Sequence, residues 1–397
     1  MPPEHRALKT QVGIVGAGPA GLLLARLLDL RGIDSVVLES RRREYVEQRV
    51  RAGVLEQGTV ELLRAAGVGE RLDREGIVHR GIELRFEGRS HRVPLTELTG
   101  RSIWIYGQQE VVKDLVQARL DAGRPLLYEA EALGIDGLET GRPVIRFRHE
   151  GAEDELECDF VAGCDGFHGV SRPSIPDGAL TIFSREYPFA WLGILAAVAP
   201  STDELIYAHS ERGFALHSLR SPELSRLYVQ CSPDDELAAW PEERVWDELH
   251  ARLQTDDGWT LREGPVLEKA IAPMRSFVCE PMQHGRLFLV GDASHIVPPT
   301  GAKGLNLAAA DVRVLADALA AWYERGDERV LDAYSATCLR RVWRAEHFSW
   351  WMTTMLHRLE GDDPFDTKLQ LSLLRYVTSS EAAARSLADN YVGLTTL

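Results

Sequence analysis

In "FALHSLRSPELSRLYVQC" (214–231) a serine, two arginines and a tyrosine stand at alternating positions. Ser218 and Arg220 are two apart and share one face of an extended strand, as do Arg226 and Tyr228 on the next, with Ser221 to Leu224 reading as the turn. A hairpin in the right register presents all four side chains together. Such a set suits a carboxylate, since a guanidinium grips both oxygens and hydroxyls fill the remaining lone pairs. It equally suits a solvated hairpin face, and spacing alone leaves both readings open.

A second set is suited to phosphate. In "TQVGIVGAGPAGLLLARLLDLRGIDSVVLES" the pattern is strand (Val12 to Val15), glycine turn, helix (Pro19 to Arg31) and second strand (Ser35 to Leu38). Gly16, Gly18 and Gly21 form G-x-G-x-x-G, and Glu39 follows twenty-one residues after Gly18. The first glycine permits the tight turn, the second lets backbone approach a pyrophosphate, and the third lets helix pack on strand, while the helix N-terminus attracts the anion. Glu39 is placed to accept hydrogen bonds from a ribose. The motif does not separate FAD from NAD. Two further strands, Leu156 to Ala162 and Leu287 to Val290, run into Asp165 and Asp292 through Gly-rich turns. Carboxyl ends of open α/β sheets are where ligands bind, and an NAD dehydrogenase has no evident use for both aspartates.

The three motifs in this order, with the mid-chain "GCDGFHG" and the late "GDASHIVPPTGAKGLN", resemble the flavoprotein aromatic monooxygenases. "RAGVLEQG" (51–58), "YGQ" (106–108), "GFAL" (213–216), "IAPMRSFV" (271–278), "FSWWM" (348–352) and "DNYVGL" (389–394) extend the likeness to nearly the whole chain, to the branch that acts on para-hydroxylated benzoates. The implied fold is α/β, a Rossmann-like FAD-binding domain with an inserted β-sheet substrate domain and a helical C-terminal region. The ranges are 8–73, 99–180 and 269–335 for the first, 74–98 and 181–268 for the second, and 336–397 for the third. The implied reaction hydroxylates 4-hydroxybenzoate to 3,4-dihydroxybenzoate with NAD(P)H and O2, through a C4a-hydroperoxyflavin on tightly bound, non-covalent FAD.

The resemblance also implies roles. FAD is held by Gly16, Gly18, Gly21, Glu39, Arg51, Gln108, Asp165, Asp292, Lys303, Leu305 and Asn306. Asp292 holds hydroxyls of the FAD chain, two prolines stiffen a loop lying along the flavin ring, and the helix opening near Leu305 and Asn306 directs its positive end at the pyrimidine, with Lys303 adding to that field. Ser218, Arg220 and Tyr228 hold the substrate carboxylate, Arg226 helps govern flavin movement, and Tyr207 and Tyr391 meet at the phenol end. A phenolate donates electrons better than a phenol, so the site must draw off the phenolic proton. His79, in the turn-like "GIVHRG", resembles the outlet of that proton chain, and the Pro299 carbonyl directs the position hydroxylated. The nicotinamide nucleotide is assigned His168 and Arg275, with Arg41, Arg42 and Tyr45 near its ribose. After Glu39 the familiar NADPH-dependent members carry Arg-Gln, whereas this chain reads Ser40-Arg41-Arg42-Arg43, which leaves the cosubstrate open with a lean to NADH or dual use.

These elements need room. The 397 residues suit two to three domains, and 45% apolar with 26% charged residues suits a packed globular chain. A net charge of −15 opposes nucleic acid or anionic membrane as the main partner. The five cysteines are scattered with no C-x-x-C, which opposes a disulfide framework, a zinc site and a dithiol reductase and fits a reducing cytoplasm. The start shows no signal pattern, and no apolar run approaches a bilayer span. Ala336 to His357 has helical periodicity with Trp343, Trp350, Trp351 and Met355, too apolar for a solvated helix, so it packs on the body or on a second subunit; the family resemblance favours a homodimer. Competing readings are a related hydroxylase of salicylate or 3-hydroxybenzoate, and a binder of prenylated proteins on the same fold without flavin turnover.

Overall fold

A computed structural model describes residues 7–49, 53–358 and 363–393. The chain opens with the strand Ala7–Val15, whose Val12, Ile14 and Val15 are all buried. It lies parallel between Ser35–Leu38 on one side and Ala152–Gly163 on the other. A strand covered on both faces needs a continuous apolar run, and all four residues of Ser35–Leu38 are buried. Leu287–Leu289 and Leu126–Leu127 extend the parallel core outward, with antiparallel strands Val144–His149 and Glu131–Asp136 hung on Ala152–Gly163. The helix Pro19–Asp29 crosses between the first two strands and stops two residues short of the expected end, where Gly32 turns left-handed at φ 68°.

A second sheet has eight strands. Its centre is two long antiparallel strands, Thr181–Ala196 and Val266–Glu280, flanked by the hairpin Ala215–Ser221 and Leu224–Cys231. Leu205–Ala208, Ile82–Phe86 and Arg89–Val93 continue it on that side, and His295–Ile296 pairs with the far side of Val266–Glu280. The boundary expected at 268 falls inside Val266–Glu280, and that at 335 inside the helix Tyr334–Leu356. His79 is not in a turn: it ends the strand Ile77–His79, opposite Ile103 in a small third sheet.

The C-terminal helices Tyr334–Leu356, Pro364–Ser379 and Glu381–Tyr391 close over both sheets. The first buries Val342, Phe348, Met352 and Met355 against the body and leaves Trp343 and Trp350 exposed, so its apolar face divides between core and surface. Among the described residues no helix is long and apolar enough to cross a membrane.

Candidate active site

The parallel strands stop along one edge, stitched by Gly16 N–H to the Leu38 carbonyl at 2.7 Å, Cys164 N–H to Val15 at 2.8 Å and Val290 N–H to Gly163 at 3.0 Å. Gly16 adopts φ 103°, and a Cβ at Gly21 would stand 2.0 Å from the Gly16 carbonyl oxygen. At Gly18 a Cβ would meet nothing within 4 Å. Its missing side chain therefore serves no internal contact; it leaves open the approach to the first turn of Pro19–Asp29, whose N-cap makes no side-chain bond. Glu39 accepts Ala17 N–H and Arg41 N–H, each at 2.8 Å, which fixes its carboxylate beside that turn.

The other two strand ends carry the aspartates. Asp165 Oδ2 accepts the Ser171 N–H at 2.8 Å and its hydroxyl at 2.9 Å, while Oδ1 is buried without a partner; burial raises this carboxyl above its usual range. Asp292 is exposed at the edge, as is Pro299 farther along the loop. The helix Gly304–Arg325 follows, again without a side-chain cap. Leu305 lines a narrow apolar slot with Pro19, Ala20, Leu23 and Leu55, and Gln108 opens the helix Gln108–Asp121. Arg51 lies outside the described residues. Uncapped helix starts, a glycine open only to the outside and a carboxylate at each strand end fit a dinucleotide such as FAD.

The substrate-side residues lie on the second sheet in rows. Ser218 pairs with Arg226, and Tyr207, Leu216, Tyr228 and Gly193 are successive partners across four strands. Ser218, Arg226, Tyr228 and Tyr207 therefore share one face, and Arg220, at the bulge between Leu219 and Ser221, carries its guanidinium to Gln109 and Gly107. Gly193 makes room, since a Cβ there would come within 2.9 Å of Arg226 Nη2 and 3.2 Å of Tyr228. Arg226 Nε donates to the Tyr228 hydroxyl at 3.3 Å, and its Nη1 is buried without a partner. Arg220 donates to the Gln109 side-chain carbonyl and approaches Gly107, where a Cβ would stand 2.8 Å from its guanidinium; burial lowers its pKa. Gln109 and Gly193 escaped sequence reasoning, because nothing local marks a glutamine or a strand glycine as facing an arginine from elsewhere.

At the other end of this face the Tyr207 and Tyr391 hydroxyls are 2.6 Å apart, both buried. Burial pushes Tyr207 up to about 12, with the Tyr391 hydroxyl and the Gly301 backbone opposing the rise; Tyr391 is raised further, by burial first and then by Tyr207. Lys303 is buried beneath them and donates to Glu56 Oε1 at 2.7 Å and to the Tyr391 carbonyl at 2.8 Å. Its charge is thus shared with Glu56 rather than left free. Asn306 accepts Glu56 N–H at 2.9 Å and the Thr59 hydroxyl at 2.8 Å, tying the helix start to the Val54–Glu56 strand. His79 is wholly buried, neither ring nitrogen has a protein partner, and burial pushes it down to about 4 against the pull of Glu204 and Asp203.

The residues expected near the nicotinamide nucleotide fall in two groups. His168 and Arg275 both contact the Phe167 ring, at 5.0 Å each, with Arg172 over the same ring at 4.7 Å. Arg41, Arg42 and Tyr45 are exposed beyond Glu39, with the Arg41 guanidinium 5.6 Å from the Tyr45 ring and Arg42 bonded to Glu129 at 3.1 Å.

The chain is similar to known proteins along most of its length. The family model described as FAD binding domain matches residues 9–349. The chain is 50% identical over 390 residues to the p-hydroxybenzoate hydroxylase of Acinetobacter baylyi, covering 98% of this chain and 96% of that one. It is 24% identical over 376 residues to a probable NADH-specific resorcinol 4-hydroxylase of Rhodococcus jostii, covering 85% and 63%. The crystal structure of a p-nitrophenol 4-monooxygenase from Pseudomonas putida superposes with a TM-score of 0.84 at 20% identity, covering 98% of this chain and all of that one.

Proposed function

The chain belongs to the flavoprotein aromatic hydroxylases built on the FAD binding domain, and on that premise we propose that it hydroxylates 4-hydroxybenzoate to 3,4-dihydroxybenzoate with NADH or NADPH and O2. The observation that carries the substrate assignment is the single sheet face on which Ser218 and Tyr228 stand at one end and the Tyr207–Tyr391 pair at the other. Tyr207 and Tyr228 stand in one cross-strand row two strands apart, ~10 Å between backbones, a gap that one para-substituted ring can bridge.

The chemistry that bound FAD would supply here is acceptance of a hydride from the nicotinamide and activation of O2 for insertion into the ring. Gly16, Gly18 and Gly21 would admit its pyrophosphate, Glu39 its ribose, and Asp292 and Asp165 its chain and edge, with Gln108 and Leu305 at the helix starts beside it; Lys303 and Asn306 would act from behind through Glu56, and Arg51, outside the described residues, is assigned to FAD by the resemblance alone. Arg220 grips the substrate carboxylate, with the Ser218 and Tyr228 hydroxyls completing its hydrogen bonds, and Arg226 supplies a further guanidinium donor at the same face. Tyr207 holds the substrate oxygen and passes its proton to Tyr391 over the 2.6 Å contact. His79, buried with both ring nitrogens unpartnered and kept neutral by burial, would relay the proton onward rather than store it, and the Pro299 carbonyl would orient the ring position that reacts. The dry, aromatic surroundings exclude water from the reacting atoms.

His168 and Arg275 bind the nicotinamide nucleotide beside Phe167, and the arginines after Glu39 accept either NADH or NADPH. The enzyme works in the cytoplasm as a homodimer, a reading supported by the exposed Trp343, Trp350, Phe365 and Tyr376 on the C-terminal helices. The test is steady-state turnover of the purified FAD-loaded protein with 4-hydroxybenzoate under NADH and NADPH separately. Substrate-stimulated oxidation with 3,4-dihydroxybenzoate formed in proportion is expected; a flavin spectrum without stimulated oxygen uptake would sink the assignment.

A further inference from the structure

The end of the helix Tyr334–Leu356 touches both halves of the site at once. His357 caps it, wholly buried, with its backbone N–H and Nδ1 each 3.0 Å from the Thr353 carbonyl. An indole N–H can only donate, so the 2.6 Å contact from Trp191 Nε1 makes His357 Nε2 an acceptor and leaves Nδ1–H to serve Thr353. Protonation would set two N–H groups against each other, and burial holds the imidazole neutral by pushing it down to about 3. Thr353 Oγ1 donates in turn to Thr300 Oγ1 at 3.0 Å, and Thr300 is the buried neighbour of exposed Pro299.

Trp191 reaches the other way. It stacks on Phe214 with ring centroids 5.0 Å apart and leans on Tyr228 at 5.0 Å. Gln230, its cross-strand partner, accepts Arg358 N–H at 3.1 Å and donates to the Arg358 carbonyl, tying the same helix end to the substrate sheet. An apolar side chain would fill this core position at lower desolvation cost; an imidazole with both nitrogens committed adds orientation.

We propose that His357 is a positioning residue: it fixes the Trp191 indole against Tyr228 and, through Thr353, the Thr300–Pro299 loop, and so sets the gap across which the aromatic substrate meets the flavin. The proposal rests on the reading of the site given above. A loosened gap lets NAD(P)H be consumed without hydroxylation, because small misplacements cost far more in reaction than in binding.

The experiment compares the FAD-loaded wild type with His357→Phe, His357→Gln and Thr353→Val. It measures 4-hydroxybenzoate affinity, product formed per NAD(P)H consumed, and the indole N–H resonance of Trp191 identified by Trp191→Phe. His357→Phe keeps the ring stack but lacks the acceptor, so product per NAD(P)H should fall roughly tenfold while substrate affinity stays near wild type and the downfield indole signal is lost. The amide oxygen of His357→Gln should recover part of both, whereas Thr353→Val should lower the yield with the indole signal intact. A wild-type yield in His357→Phe, or a lost yield with an unmoved indole signal, overturns the proposal. If His357→Phe does not fold, wild-type yields in both other variants overturn it. If the wild type does not hydroxylate 4-hydroxybenzoate, the functional reading fails by itself, and the indole signal in the variants still decides whether His357 holds Trp191.

Discussion

The cofactor edge and the substrate face of this molecule are built on opposite plans. At the edge the contacts run through the backbone, locally from Gly16 to Leu38 and remotely from Cys164 to Val15 and from Val290 to Gly163, and much of the site is backbone from which side chains have been removed. The substrate face joins distant segments: Arg220 and Gln109 are 111 residues apart, and Tyr207 and Tyr391 are 184 apart. There every function is a side-chain atom. Damage at the edge should therefore appear as lost cofactor, and damage at the face as lost chemistry with the cofactor still bound.

The sharpest break of that contrast is Tyr207→Phe. The ring stays in the core but the hydroxyl contacting Tyr391 is gone, so hydroxylation should slow by ~10²- to 10⁴-fold with FAD content unchanged, read by product formation and the visible spectrum. Loss of FAD instead would erase the distinction. Arg220→Ala should act on binding: removing one partner of a buried charge pair costs about 2–4 kcal/mol, which raises the KM for 4-hydroxybenzoate by roughly 30- to 1000-fold. A variant with wild-type KM removes the carboxylate clamp.

The seam between the regions responds to pH. Glu346 accepts the Ser276 hydroxyl at 2.8 Å while its other oxygen is buried without a partner, and burial pushes the carboxyl from 4.5 up to about 7. The folded state thus holds a proton that the unfolded chain releases. Its contribution is complete below pH 4.5 and is lost as pH rises through about 7, a change of about 3 kcal/mol at most. Denaturant unfolding of wild type and Glu346→Gln at pH 5 and pH 8 checks it: the wild type should lose more stability across the interval. Equal losses would mean that Glu346 is charged throughout.

The smallest effect separates two glycines of one motif. Gly18→Ala should leave apo stability unchanged and weaken FAD by about fivefold or more, a steric cost of at least ~1 kcal/mol. Gly21→Ala should lower both, because its Cβ would collide with the Gly16 carbonyl. The same loss of apo stability in both would place Gly18 in the packing rather than at the ligand.

The order strand–turn–helix–strand at the N-terminus was legible, and so was the Ser221–Leu224 hairpin turn, since each is decided within about a dozen neighbours; the first strand nonetheless begins at Ala7 rather than Val12, because pairing with Ala152–Gly163 extends it beyond its apolar run. His79 was not, because pairing with Ile103 overrides a turn-like local composition. Gln109, Gly193, Trp191 and His357 were likewise silent: each gains its significance from a partner more than thirty residues away.

By itself the sequence determined that a phosphate-binding βαβ unit exists, that two later strands end in aspartate, and that one hairpin face carries guanidinium and hydroxyl groups. Those are consequences of period and backbone geometry, which neighbours along the chain settle. The resemblance implied that Tyr207 and Tyr391 meet, but only the tertiary structure decided that their hydroxyls stand 2.6 Å apart, that Lys303 spends its charge on Glu56, and that His357 accepts from Trp191. Such contacts form when packing brings remote segments together and burial fixes their protonation, and neither is encoded at any single stretch of the chain.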